Sequence, residues 1–112
     1  MEILAANKEL TKQEIYFLTK TQETQKMTEA AEQALELSAW AIYLDKNSDG
    51  EEVELFACRT EEGETYATNS ATFIRAFREI LDIFEPDEIT RIKVLTGVSK
   101  NNRTYITCAY VA

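Results

Sequence analysis

The fold is decided by residues 34–58, which read ALELSAWAIYLDKNSDGEEVELFAC. From Ala34 to Leu44 the chain is rich in apolar and aromatic residues, in places on both faces, and this is typical of a long buried strand. The segment Asp45–Gly50 contains residues that tolerate a left-handed backbone, so it predicts a turn. Residues 53–58 alternate between two faces and predict a second strand.

Further along the chain, one helix interrupts the strand pattern. A tight turn at 61–63 and a short third strand at 64–68 come first. Ser70 is a predicted N-cap, and apolar residues from Phe73 to Phe84 recur at helical spacing until Pro86. Strands at 89–99 and 104–112 flank a turn at 100–103. The order β-β-β-α-β-β is that of the OB-fold, so we predict a mainly β, OB-fold-like five-stranded barrel.

The N-terminal third is predicted to be a helical extension of that barrel. Thr11 and Glu14 form a capping-box pattern ahead of an apolar cluster, which predicts a helix at 12–20. Residues 21–33 are polar apart from Met27 and a few alanines, and such a composition predicts a solvated loop or a mobile arm. We therefore divide the chain into a helix and polar arm at 1–33 and an OB-like domain at 34–112.

Charge is distributed unevenly along the chain. The whole chain has a formal net charge of −8, but its last 24 residues contain four basic side chains and no acidic one. The basic residues are Arg91, Lys93, Lys100 and Arg103. Local clusters of Lys and Arg bind phosphates whatever the net charge of the protein. The last two predicted strands are therefore a candidate phosphate-binding hairpin, although a hairpin can also lack acidic residues by chance.

Catalytic and metal chemistry find little support in the composition. No histidine is present, so Ser–His and Cys–His pairs cannot form. The Asp45–Gly50 turn resembles the first half of a calcium loop, but the twelfth position of that loop is Phe56 and not glutamate. Cys58 and Cys108 are a poor zinc set and are expected to be reduced, buried thiols. We expect a non-enzyme with no catalytic residue, no metal site and no cofactor.

The sequence also bears on location. No run of apolar residues is long enough to span a membrane. The first residues, Met1–Ala6, include a carboxylate where a signal peptide has a basic region, and their apolar stretch is short. We therefore expect a cytoplasmic protein that does not contact a membrane.

Cations and aromatic rings together favour single-stranded nucleic acid as the ligand, because cations contact phosphates and flat rings stack on bases. Alternation along the fourth predicted strand places Arg91 and Lys93 on one face. Each of these rings could instead be buried in the core. Burial is the commoner outcome for Trp40 and Phe56, whereas for Tyr66 and Tyr105 burial and exposure are about equally common. The candidate nucleic-acid-binding residues are Arg59, Tyr66, Arg91, Lys93, Lys100, Arg103, Tyr105, Trp40, Tyr43 and Phe56.

Three stretches carry a family resemblance: 39–50, AWAIYLDKNSDG; 66–75, YATNSATFIR; and 97–108, GVSKNNRTYITC. In them the chain resembles small single-stranded-DNA-binding proteins of bacteriophages and of mobile elements of Gram-positive bacteria. The resemblance covers most of residues 35–112. It implies an OB-type barrel that coats displaced single strands during phage replication, with contacts from Arg91, Lys93, Lys100, Arg103 and Tyr105. Many such proteins recruit partners through an acidic C-terminal tail, whereas this chain ends in Tyr110-Val-Ala112.

Two functions follow as hypotheses. The first is a non-catalytic single-stranded-DNA-binding protein that protects single strands during replication or recombination; the resemblance implies that it comes from a phage and acts in the host bacterial cytoplasm. The second is an acidic interaction protein, an inhibitor or DNA mimic that binds a host protein, because residues 51–64 contain six glutamates. Contact with replication proteins and self-association through exposed barrel edges are further expectations.

Overall fold

The computed structural model describes residues 1–112, and the chain is mainly β, as predicted. Two 3-10 turns, Met27–Ala30 and Pro86–Glu88, accompany two helices and seven strands. In chain order these are β1 (Glu2–Ala6), α1 (Lys12–Thr19), β2 (Gln25–Lys26), β3 (Ala34–Lys46), β4 (Glu52–Thr60), β5 (Thr65–Thr68), α2 (Ala71–Leu81), β6 (Arg91–Val98) and β7 (Thr104–Tyr110). None of the helices is long and apolar enough to cross a membrane.

The strands form a sheet that curls into an open half-barrel. Its order is β2-β5-β4-β3-β6-β7, and β1 pairs with β3 outside this path. The long strand β3 organises the sheet, because it pairs with β4 over most of its length and with β6 only through Ala34–Glu36. Farther along the edge that pairs with β6, residues 41–44 of β3 pair with β1. Seven strands therefore replace the five that were predicted, and the two additional ones are β1 and β2.

Asn7 joins the two halves of the β3 edge. Its backbone N–H donates to the Trp40 carbonyl at 3.3 Å, and its side-chain oxygen accepts from the Trp40 N–H at 3.1 Å. Its side-chain amide also donates to the Ser38 carbonyl at 3.3 Å. Backbone N–H and C=O groups that are shielded from water need hydrogen-bond partners. Asn7 provides these partners for β3 at the point where the strand stops pairing with β6 and begins to pair with β1.

Helix α2 fills the interior of the half-barrel. The Ser70 hydroxyl accepts from the Phe73 N–H at 3.2 Å, which confirms the predicted N-cap. Phe77 lies at the centre of an aromatic cluster, with ring centroids 4.6 Å from Phe56 and 4.7 Å from Trp40. The helix ends at Leu81, before Pro86, which instead begins the second 3-10 turn. Burial of these large rings provides most of the apolar surface that holds α2 against the sheet.

The prediction of a solvated arm at 21–33 is wrong. Met27 and Ala30 are fully buried in the main core, with Trp40 and Phe56. This segment is held because β2 pairs in parallel with β5, at Gln25↔Tyr66 and Lys26↔Ala67, and the 3-10 turn follows directly. Residues 1–33 therefore do not form a separate extension but share the sheet and the core with the rest of the chain.

Helix α1 covers the opposite face of the sheet. It begins at the predicted capping box, in which the Thr11 hydroxyl accepts from the Glu14 N–H at 3.1 Å and Glu14 accepts from the Thr11 N–H at 3.0 Å. Leu18 is buried in a second, smaller core against a floor of small residues on β3 and β4. The buried members of that core are Leu18, Ala39, Ala41, Tyr43 and Ala57. The middle of the sheet is thus covered on both faces.

Both cysteines are free and buried, as predicted. Burial raises the pKa of Cys58 to about 12 and that of Cys108 to about 12. The Cys108 thiol donates a weak hydrogen bond to the Phe73 carbonyl at 3.9 Å. Both sulfurs therefore stay protonated near neutral pH and act as small core residues.

Met27→Ala tests the inclusion of residues 21–33 in the fold. We expect the free energy of unfolding to fall by about 2 kcal/mol or more, because a buried thioether side chain is replaced by a cavity. The measurement is urea denaturation followed by circular dichroism. Thr28→Ala is the matched control, since Thr28 is the exposed neighbour and its truncation should leave stability nearly unchanged. Equal stability of the two variants would show that this segment contributes nothing to the core.

Candidate nucleic-acid interface

The strands β6 and β7 form an antiparallel hairpin with two distinct faces. Ile92 and Val94 on β6 and Ile106 and Cys108 on β7 are buried against the core. Because side chains alternate along a strand, the opposite face presents the odd-numbered residues. These include Arg91, Lys93, Leu95 and Gly97 on β6, and Tyr105, Thr107 and Ala109 on β7. The prediction that Arg91 and Lys93 share the face away from Ile92 and Val94 is confirmed.

Tyr105 lies directly over Gly97 on this face. The two residues are a cross-strand pair, and a Cβ atom built on Gly97 would lie 2.4 Å from Cζ and from the hydroxyl of Tyr105. The ring therefore occupies the space of the missing side chain, an arrangement that stabilises glycine within a sheet. Tyr105 is nevertheless 38% exposed, so the same contact that holds the ring leaves part of it open to a ligand.

Gly97 was not among the predicted site residues. Its role could have been suspected from the sequence, because a glycine within a strand often marks a position that another group approaches closely. The register that places Tyr105 opposite Gly97 follows from the length of the intervening turn. In this turn the Ser99 N–H donates to the Arg103 carbonyl at 2.9 Å, and the Arg103 N–H donates to the Ser99 hydroxyl at 3.2 Å. Lys100 and Arg103 are exposed in this turn and form no ion pair.

Two carboxylates border the hairpin: Glu32, which precedes β3, and Glu36, which lies within β3. Glu36 is the cross-strand neighbour of Arg91 and forms an ion pair with it. Glu32 accepts from the Thr96 hydroxyl at 2.7 Å and from the Thr96 N–H at 3.0 Å. The Thr96 hydroxyl, then its N–H, and to a lesser degree Lys93 lower the pKa of Glu32. Arg91 is therefore paired with Glu36 at the surface, Lys93 lies within electrostatic reach of Glu32, and Lys100 and Arg103 have no ion-pair partner.

Four of the predicted stacking rings lie in the core, and the structure corrects these predictions. Trp40 and Phe56 are fully buried, and the Trp40 indole N–H donates to the Ile89 carbonyl at 3.2 Å. Tyr43 is buried against α1. Its pKa is raised mainly by this burial and to a smaller degree by the negative charge of Asp45. Tyr66 is 5% exposed and donates to Glu64 at 3.3 Å. Trp40, Phe56 and Tyr66 fill the half-barrel interior and Tyr43 is covered by α1, so none of these ring faces is open to a base.

Arg59 is also separated from the hairpin. Its guanidinium lies 4.1 Å from the ring centroid of Phe17 on α1, a cation–π contact that binds the helix to the sheet. Together with Tyr43, it belongs to the face of the sheet that α1 covers. That α1 lies there was not predicted, although alternating alanines at 39, 41 and 57 offered a flat floor for a helix.

Four of the ten predicted residues are exposed on the β6–β7 hairpin and form no ion pair: Lys93, Lys100, Arg103 and Tyr105, hereafter the hairpin surface. Arg91 adjoins them in an ion pair. Comparison of the chain with protein-family models, with curated proteins and with solved structures found no match. Function therefore has to be inferred from the chemistry of the surface itself.

Proposed function

We propose that the protein binds single-stranded DNA without catalysis and protects single strands during replication or recombination. The observation that carries the proposal is an exposed Tyr105 ring, held over Gly97, on a hairpin whose own residues include cations and no carboxylate. Such a combination is suited to binding a single strand, because cations contact the phosphates of its backbone and a flat ring stacks on an unpaired base. The resemblance to phage proteins adds the replication role and a bacterial host cytoplasm.

In this mechanism Lys93, Lys100 and Arg103 contact successive phosphates, and Tyr105 stacks on one base. Base–aromatic stacking contributes about 1–3 kcal/mol per base. Three phosphate contacts on a single strand correspond to a slope of about −2 when the logarithm of the binding constant is plotted against that of the salt concentration. The protein acts by occupying the strand, so its effect is stoichiometric.

We interpret the half-barrel as an OB-like variant. The OB-fold uses the face of its second and third strands for oligonucleotides. Counted from β3, these strands are β4 and β5, and α1 packs over that face here. The ligand surface is accordingly shifted to the outer face of β6 and β7. This interpretation also explains why Arg59 and Tyr43, on the covered face, have internal partners.

Tyr105→Ala tests the stacking part of the proposal. We expect affinity for oligo(dT) to weaken by about 1–3 kcal/mol, or roughly 5- to 150-fold, because one stacked base loses its ring. The measurement is fluorescence anisotropy of a labelled oligonucleotide. Tyr105→Phe should retain affinity, because the ring and its contact with Gly97 remain. Tyr16→Ala removes an exposed ring on α1 and should change nothing. Unaltered affinity of Tyr105→Ala would contradict a role for this ring.

A second candidate function is favoured by one observation. Glu36, Glu61, Glu62 and Glu64 line the same cavity of about 220 Å³, so carboxylates from two distant parts of the chain converge. Of the predicted glutamate cluster, however, Glu54 pairs with Arg78, and Glu64 accepts from Gln25 and Tyr66. If the protein is a DNA mimic that binds a host protein, Glu61→Gln with Glu62→Gln should abolish that binding, and charge reversal on the hairpin surface should be silent.

A further inference from the structure

A cavity lined by two arginines lies between β4 and α2, away from the residues of the hairpin surface. Its volume is about 470 Å³, which is within the range of ligand sites. Apolar side chains of β4 and α2 form part of the wall, and polar and charged groups form the rest. The lining residues used below are Val53, Glu54, Asn69, Ile74, Arg75 and Arg78.

The two arginines are directed toward this cavity and not along their helix. Their spacing predicts ion pairs of Arg75 with Glu79 and of Arg78 with Asp82, and neither pair forms. This order, with the cation nearer the N-terminus, is the weaker one in a helix. Arg78 instead reaches across to Glu54 on β4 at 3.3 Å. Arg75 lines the cavity, is exposed, and has no carboxylate partner.

The wall formed by β4 is an open strand edge. The pairing of β4 with β5 ends at Phe56↔Thr68, because the chain then turns through Asn69 into α2. The strand β4 continues to Glu52 and pairs there only with β3. Residues 52–55 therefore have no neighbouring strand on the cavity side, which leaves backbone donors and acceptors beside Arg75 and Arg78.

A second cavity of about 370 Å³ adjoins the first. Lys26, Thr28, Leu55 and Thr68 are among the residues that line it, and Asn69 lines both. The two cavities meet at Asn69, which follows β5, and we treat them as one groove, with Lys26 lining one part and Arg75 the other. This groove combines the groups that bind a nucleotide: cations for the phosphate, apolar side chains for the base, and hydroxyl and amide groups for the sugar.

We propose that this groove, hereafter the β4–α2 groove, binds a nucleotide of the single strand, with its phosphate on Arg75 and its base against Val53 and Ile74, which line the same cavity. The inference rests on the proposed function, because the strand supplies the nucleotide. A free nucleoside monophosphate has the same chemistry, so the two sources have to be separated by experiment. Glu54 holds Arg78 in place and leaves Arg75 as the cation that contacts the phosphate.

The test is a backbone-amide NMR titration of the intact protein with oligo(dT) of about 16 nucleotides, the largest site size of one OB fold, and separately with thymidine monophosphate. We expect oligo(dT) to shift the amides of 53–55 and 69–75 together with those of the hairpin surface. Arg75→Gln should weaken oligo(dT) binding about tenfold, the effect of losing one charged hydrogen bond. Lys12→Gln, which removes an exposed cation on α1, is the matched control.

The outcomes separate the two proposals. Shifts confined to the hairpin surface, with Arg75→Gln binding normally, would overturn the groove inference and leave the proposed function standing. Groove shifts with the mononucleotide and no binding of oligo(dT) would support the nucleotide site and overturn the strand-binding function. No shift with either ligand would overturn both.

Discussion

Trp40→Ala is expected to lower the free energy of unfolding by about 3–5 kcal/mol, the range for truncating a buried aromatic side chain. Trp40 is fully buried, and its ring centroid lies 4.7 Å from that of Phe77 and 6.4 Å from that of Phe56. Its removal also leaves the Ile89 carbonyl, which accepts from the indole N–H, without a partner. A native stability of about 5–15 kcal/mol is usual, so the variant would be marginally folded.

Urea denaturation followed by circular dichroism measures this effect. Trp40→Phe separates its two components, because it retains a ring in the cluster and loses the indole donor. Tyr16→Ala provides the control for deleting an aromatic ring at an exposed position. If Trp40→Ala unfolded at the urea concentration of the native protein, the aromatic cluster would not be the centre of the core.

Lys93→Glu combined with Arg103→Glu is expected to weaken binding of oligo(dT) at least about 100-fold. Each lost contact between a cation and a phosphate costs about 1.5–3 kcal/mol, and the new carboxylates add repulsion. Both residues are exposed and neither forms an ion pair, so the fold should be retained; the one carboxylate that Lys93 influences, Glu32, is itself exposed. Arg91 is a poorer target, because its reversal would also leave Glu36 beside a like charge.

The matched control is Lys12→Glu combined with Lys46→Glu. It changes the net charge by the same amount at two exposed positions outside the hairpin. Anisotropy titrations at one salt concentration compare the two double variants. Equal losses of affinity would show that the overall field of the protein governs binding, and that the hairpin surface has no special role.

The parts of the fold that the sequence predicts well depend on neighbours in the chain. Ser70, Phe73 and Phe77 follow from capping and helical spacing, and Thr11 with Glu14 locates α1 in the same way. The parts that were missed depend on distant partners. Residues 2–6 become a strand through pairing with 41–44, and Met27 is buried because β2 joins β5. Neither pairing leaves a periodic pattern within the short segment concerned.

The candidate site likewise has features that the local sequence predicts and features that depend on distant parts of the chain. Strand alternation alone places Arg91 and Lys93 on the outer face of the hairpin. The arrival of Glu32 and Glu36 beside them requires the β3–β6 register, which a single sequence does not reveal. The burial of Trp40, Phe56 and Tyr66 follows from the volume of the half-barrel interior, and that of Tyr43 from the packing of α1 on the opposite face; both are properties of the assembled fold. Tyr105 stays partly exposed because strand alternation places it on the outer face, where its ring lies over Gly97.

The central claim is that the protein binds single strands through the hairpin surface. Its most direct test is fluorescence anisotropy of oligo(dT) of about 16 nucleotides, titrated with the intact protein between about 50 mM and 200 mM salt, with duplex DNA as competitor. We predict micromolar or tighter binding at low salt, a log–log salt slope of about −2, and weaker competition by duplex than by single strand. Absence of binding at low salt, or equal competition by duplex, would contradict the claim.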